Sequence, residues 1–242
     1  MLDGLKRLFR GGSSTPAPGA DELMSWAETR QYAFRGVPDE GFVVDGRLST
    51  TPWRLEWGPS QRPYVKGHEL RLRAELGLSS ELQVVVMNRL LAEQMEKSVY
   101  EQYVEGVQTR IDNQTPPEMR WLVMFPKLSA ADLGALHGPF VALGSVKPWL
   151  MQWLEGPLRA ALLAQRLEPH VPMVLMIGRG RLMLRTELAD PELLPLQAWL
   201  RLFECAIREA RRVAAEAPEA AAPSSASSGW QPSALPGDER GG

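Results

Sequence analysis

The side chains able to do chemistry are few and scattered. His68, His137 and His170 are far apart, and none stands in a His-x-x-x-His or His-Glu-x-x-His spacing. No single helix can therefore present two imidazoles to one metal ion, and all three read as ordinary surface or hydrogen-bonded histidines. Cys205, the only cysteine, sits beside Phe203 and Ile207, where a small apolar filler is expected rather than a nucleophile. Gly178-Arg179-Gly180 lacks the glycine spacing of a phosphate loop and precedes strand-like sequence, so it reads as a hairpin turn. Glu69 and Glu75 share one strand face, but Arg71 and Arg73 stand between them. That pattern is a charge ladder, not an acid/base pair with separated pKa values. No catalytic residue, cofactor or metal ligand is expected from these patterns.

Binding is the remaining chemistry. Trp149 and Trp153 share a helical stripe widened by Leu150 and Leu154, and both core packing and an exposed partner patch fit that spacing. Arg73 and Arg185 complete the expected partner-binding set, because they occupy matching positions in two similar segments described below. Arg54, Arg62, Lys66, Arg71 and Arg73 are interleaved with Trp53, Trp57 and Tyr64, as in a base-stacking platform. Strand parity, however, puts Trp53 and Trp57 with Leu55 and opposite Arg54, so these tryptophans belong to a core and nucleic acid is not the expected partner. The charge balance agrees: 27 Lys and Arg against 29 Asp and Glu give a net charge of -2 and no global field for a polyanion. At the N-terminus Leu2, Leu5, Leu8 and Phe9 form one face of a short basic segment, enough for weak peripheral membrane contact at most. Oligomeric state is left open.

These residues need elements to position them. Alternation is clearest at His68 to Leu76, where Leu70, Leu72, Ala74 and Leu76 oppose Glu69, Arg71, Arg73 and Glu75. Trp53, Leu55 and Trp57 alternate in the same way, and Asp45-Gly46 within Phe42 to Leu48 suggests a two-residue hairpin turn. Ser80 and Gln83 suggest a capping box opening a long helix through Val84, Met87, Leu91, Met95, Val99, Tyr103 and Val107 to about Gln108. Met119 to Phe125 reads as a buried strand, apolar on both faces apart from Arg120. A short helix from Asp21 to Thr29 and a helical turn from Ser129 to His137 are expected. Pro148 starts a helix that breaks at Gly156-Pro157 and continues through Leu167. Val171 to Ile177 and Arg181 to Leu188 form a hairpin, and a last helix follows Asp190-Pro191 with Leu196, Trp199, Leu200, Phe203, Ile207 and Ala210 buried.

Aligned without a gap, Glu69 to Leu76 and Arg181 to Leu188 match at Leu70/Leu182, Leu72/Leu184, Arg73/Arg185, Glu75/Glu187 and Leu76/Leu188. The same register pairs Leu82 with Leu194, Met87 with Trp199 and Arg89 with Arg201. Either the chain carries two related hairpin-helix halves, or two Leu/Arg-rich amphipathic units align by composition.

The expected fold is α+β, an antiparallel sheet packed by long amphipathic helices. The globular region is 21–213, divided into related halves of about 21–112 and 113–213 if the repeat is real. Residues 1–20 and 214–242 are too poor in aliphatic pattern to offset ordering entropy and are expected to be disordered. The lone cysteine suits the cytoplasm. The expected function is a non-catalytic interaction, adaptor or chaperone-like protein with a protein partner. An enzyme with a dispersed carboxylate/Arg site and a nucleic-acid-binding regulator are the alternatives.

Overall fold

The computed structural model describes residues 20–37, 41–104 and 115–216. Its frame is one eight-stranded, wholly antiparallel sheet in the order β1-β2-β3-β4-β8-β7-β5-β6. The strands are β1 (Ala33–Val37), β2 (Gly41–Leu48), β3 (Thr51–Pro59), β4 (His68–Glu75), β5 (Val84–Asn88), β6 (Phe140–Gly144), β7 (Met173–Gly178) and β8 (Arg181–Glu187). Helices α1 (Ala20–Thr29), α5 (Lys147–Trp153), α6 (Pro157–Ala164) and α7 (Leu193–Glu216) share the larger core on one face. Helices α2 (Arg89–Val104) and α3 (Pro117–Met124) form a smaller core on the other face, chiefly against β5, β6 and β7. The α+β class expected from the sequence is the class observed.

Where a strand is covered on both sides, its sequence is continuously apolar. Val84-Val85-Val86-Met87 is such a run, with Val84 and Val86 in the larger core and Val85 and Met87 in the smaller one. This run overturns the expected capping box at Ser80. Four consecutive apolar residues, three of them β-branched, favour a buried strand, and the helix starts only at Arg89. Asn88 closes the strand: its side chain donates to the Pro169 carbonyl at 2.9 Å and accepts from the Met173 amide at 2.9 Å, joining β5 to the start of β7.

Two further expectations are corrected. Met119 to Met124 lies in helix α3, not a strand, and Phe125 caps its end: Pro117 occupies the first turn, where its missing N–H is harmless, and Met119, Trp121 and Leu122 face inward at helical spacing. Asp45-Gly46 lies mid-strand, and the chain reverses at Ser49-Thr50, between the paired residues Leu48 and Thr51. Glycine is required at position 46 for another reason. The Trp53 indole lies across it, and a Cβ there would fall 2.2 Å from the ring. Strand β6 went unanticipated because its five residues are embedded in a longer apolar stretch.

The α5–α6 break at Gly156-Pro157 and the β7–β8 hairpin follow the sequence reading. Arg179 and Gly180, the two turn residues, both have positive φ (53° and 74°), the conformation of the tight turns that match strand twist. Leu72 and Leu184, equivalent in the gapless alignment, face each other at the middle of the β4–β8 ladder. Beyond that hairpin the correspondence stops, because Leu82 leads into a strand whereas Leu194 lies in α7. Strand β5, from the first proposed half, is inserted between β6 and β7 from the second. The N-terminal segment with Leu2, Leu5, Leu8 and Phe9, residues 1–19, and the tail from residue 217 lie outside the described residues, as does Val107. Helix α7 runs to Glu216, three residues past the expected boundary at Val213. Among the described residues, no helix is long and apolar enough to cross a membrane.

Candidate functional site

The face of the sheet opposite α7 changes character at β8. On the β2, β3 and β4 side no helix among the described residues covers it, only Met183 of β8 reaches the smaller core, and the residues of this side are charged in rows across the strands. Glu56, Arg71 and Arg185 are direct cross-strand neighbours, as are Asp45, Arg54 and Arg73. Alternation produces this directly: the partners of Leu55, Leu72 and Leu184 on the buried face are arginines and carboxylates on the other.

Most of these charges neutralise one another. Glu69 is fully buried; its Oε1 accepts from Arg185 Nη1 at 2.6 Å, and its Oε2 accepts from the Gln61 amide at 2.9 Å and Arg71 Nη1 at 3.4 Å. Arg71 also donates to Glu56 at 3.3 Å and to the Pro59 carbonyl at 2.9 Å. Arg73 reaches Glu56 Oε1 at 3.2 Å but leaves 55% of its side chain exposed. Of the expected binding pair, Arg73 is therefore a surface cation, whereas Arg185, with 12% exposure, is committed to Glu69.

A second buried carboxylate comes from α3. Glu118 Oε1 accepts from Arg62 Nε at 2.7 Å and from Tyr64 Oη at 2.5 Å, while Oε2 has no hydrogen-bond partner among the described residues. Burial and the Glu118 charge push the Tyr64 phenol far above its ordinary pKa, so it remains a donor. Burial works against the Arg62 charge, but the Glu118 carboxylate outweighs it and keeps the guanidinium's pKa above the usual value.

Beside this pair lies a cavity of about 620 Å³ between the N-terminal end of α3, the β3–β4 loop and the β7–β8 turn, lined by Arg62, Arg120, Arg179 and Arg181 with Trp121 and Met183 among its apolar surfaces. Gly178 makes the geometry feasible: the Trp121 ring packs so closely on β7 that a Cβ at 178 would be 2.6 Å from it. Among the described residues, no carboxylate lines this cavity. Arg62 is held by Glu118 and Arg181 by Glu75 at 2.6 Å, but Arg120 and Arg179 have no ion pair among the described residues, and Arg120 Nε is buried without an acceptor. A buried N–H without a partner is uncommon, and a bound anion is one means of satisfying it. Arg181 also lines a shallower cavity of about 430 Å³ on the charged rows, with Arg54, Arg73, Asp45 and Glu75, so the two depressions share a wall.

Trp149 and Trp153 lie elsewhere, inside the larger core at 1% and 0% exposure, their rings 5.6 Å apart. Trp153 Nε1 donates to the Ala206 carbonyl at 3.1 Å, linking α5 to α7. Their stripe faces the sheet and α7, so packing, rather than an exposed patch, accounts for their spacing. Trp53 and Trp57 are likewise buried, and Trp57 stacks on His68 at 4.4 Å. Cys205 is buried, and that burial pushes its thiol pKa up, which leaves it a poor nucleophile. No group of His, Cys, Asp and Glu among the described residues is arranged to hold a metal ion.

The sequence reading missed Arg120, Arg179, Glu118 and Trp121 as site residues. Arg179 and Arg120 carried weak signals, the first as the apex of a glycine-flanked turn and the second as the lone charge in an apolar run. Treating Met119 to Phe125 as a strand separated Arg120 from the turn it actually faces.

No family model matches the chain, and no curated protein matches it. Among solved structures, the mycobacterial trehalose monomycolate transport factor A, TtfA, is similar over 82% of this chain and 93% of its own, with 10% identity and a TM-score of 0.43. A likeness that loose carries no functional argument.

Proposed function

We propose that this chain is a non-catalytic interaction protein, an adaptor that docks a protein partner on the bare half of the sheet where Arg73 is displayed. One observation carries the reading: arginines on this face are held in defined positions by cross-strand carboxylates and run, through Arg181, into a cavity where Arg120 and Arg179 have no ion pair among the described residues. Cations already fixed in place lose little conformational entropy on docking, and arginine is enriched where protein interfaces concentrate their binding energy. In this reading Arg73 and Arg181 meet the partner, while Arg185 acts through Glu69 to keep Arg71 and its row aligned. The buried carboxylates Glu69 and Glu118 each hold an arginine, which suits a structural role better than proton transfer.

A photo-crosslinking amino acid placed at position 73 in the native cell tests this directly. It should give one discrete adduct with a protein partner, whereas the same group at the exposed Arg208 of α7, on the opposite side, should give none. Uncrosslinked chain at both positions, or equal crosslinking at both, would sink the proposal.

A further inference from the structure

We infer that the arginine-lined cavity is the subsite for an acidic segment of the partner that also carries an apolar side chain. The inference rests on the adaptor reading and adds the chemistry of what is recognised. Three features specify the occupant. Arg62, Arg120, Arg179 and Arg181 surround the space with no carboxylate among the described lining residues, so a ligand must bring negative charge. Trp121, Met176 and Met183 supply apolar wall, and thioethers adapt to varied shapes, so the ligand must also bury apolar surface. Val123 and Met124 stand 55% and 63% exposed on α3, and Met124 also borders the cavity, extending apolar contact beyond its mouth.

The roles of the four arginines differ. Glu118 grips Arg62 through Nε, and Tyr64 braces the same carboxylate oxygen, so Glu118 is a positioning residue that fixes the angle of that guanidinium. Arg120 Nε has no acceptor among the described residues. Arg179 sits at the apex of the β7–β8 turn, exposed and held out by a positive-φ backbone. Charge spread over several walls fits carboxylates repeated along a peptide better than one compact headgroup. A cavity of this volume accommodates a few residues.

The experiment uses the full chain and a fluorescein-labelled, end-blocked hexapeptide of alternating Glu and Leu, with the Lys-for-Glu version as control and dodecyl phosphate as competitor. Fluorescence anisotropy should show saturable binding of the Glu peptide only, weakened severalfold as salt rises from about 0.05 to about 0.3 M. Arg120→Gln and Arg179→Asn should each weaken it about tenfold, the loss of one charge-assisted contact. Asparagine tolerates the positive φ at 179, and unchanged thermal unfolding of that variant would separate lost binding from lost fold. Absent binding, or binding indifferent to both substitutions, overturns the subsite. Dodecyl phosphate displacing the peptide at equal concentration also overturns it, in favour of a lipid-like anion. Crosslinking at position 73 without peptide binding would refute the subsite and keep the adaptor; peptide binding without crosslinking would do the reverse.

Discussion

The two ends of one sheet face are built on different rules. Around β5, β6 and β7 the second face is apolar and sealed by α2 and α3; around β2, β3, β4 and β8 it is mostly a lattice of arginines and carboxylates, with no helix among the described residues lying over β2, β3 and β4. Both halves share the same core on the other side. The difference lies only in alternate residues of the strands, so one parity class decides which half is sealed and which is free to meet another molecule.

The largest expected effect comes from exchanging those rules. Val85→Lys would place an ammonium in the sealed half, where the side chain is fully buried among apolar residues, and should unfold the protein or destabilise it by more than about 4 kcal/mol. Val43→Lys, on the same face of the bare half and opposite Glu56, should change stability by no more than about 1 kcal/mol. Urea unfolding of both variants decides it, and equal losses would erase the distinction between the halves.

Within the bare half, burial should grade the ion pairs. Glu69→Ala strips the acceptor from Arg71 and Arg185 and should destabilise by about 3 kcal/mol or more, since a cation left partly buried without its partner is the costly outcome. Arg54→Ala breaks a 2.6 Å bridge to Asp45, but both groups are over a third exposed, and the loss should be about 0–1 kcal/mol. If thermal unfolding ranked these two in the opposite order, the lattice would be ornament on the Arg71 row rather than its support.

The smallest effect is expected at a single carboxylate away from this face. Asp132 completes the capping box that Ser129 opens at helix α4 (Ala130–Leu133), accepting from Ser129 and pairing with Lys147 at 2.8 Å, and its pKa is lowered to about 2, first by Lys147 and then by Ser129. A depressed carboxyl stabilises the folded state fully above its unfolded pKa of 3.8 and loses that contribution as pH falls toward about 2. An NMR titration of the Asp132 carboxyl should therefore find its midpoint well below 3.8 and moving upward in Lys147→Met. A midpoint unaffected by that substitution would remove Lys147 as the cause.

Strands β3, β4, β7 and β8 were legible in the sequence, whereas the course of β2 and, in the sealed half, β5 and α3 were not. Alternation at Trp53 to Trp57 and at His68 to Leu76 fixes both strand type and inward face, because one side of each strand meets water. Val84 to Met87 and Met119 to Phe125 are apolar without a polar face to set a period, and there a buried strand and a helix look alike. The two segments were accordingly exchanged in type. The cavity suffered the same loss, since Arg120 reaches it only from a helix, and no local pattern brings α3 to the β7–β8 turn.

The position of β5 has a consequence during synthesis. Val86 pairs with Ala142 and Leu175, both far later in the chain, while β1 to β4 can already zip into their hairpins. At about 5–20 residues per second, the ribosome leaves this valine-rich strand with both edges bare for several seconds before β6 emerges, and with one edge bare until β7 does. Such a strand is the kind other nascent chains can pair with, so the interval is the molecule's point of exposure to aggregation and to holding factors. For the same reason, severing the chain near residue 112 should yield no independently folding C-terminal half: β6 and β7 would face each other across a gap that only β5 fills.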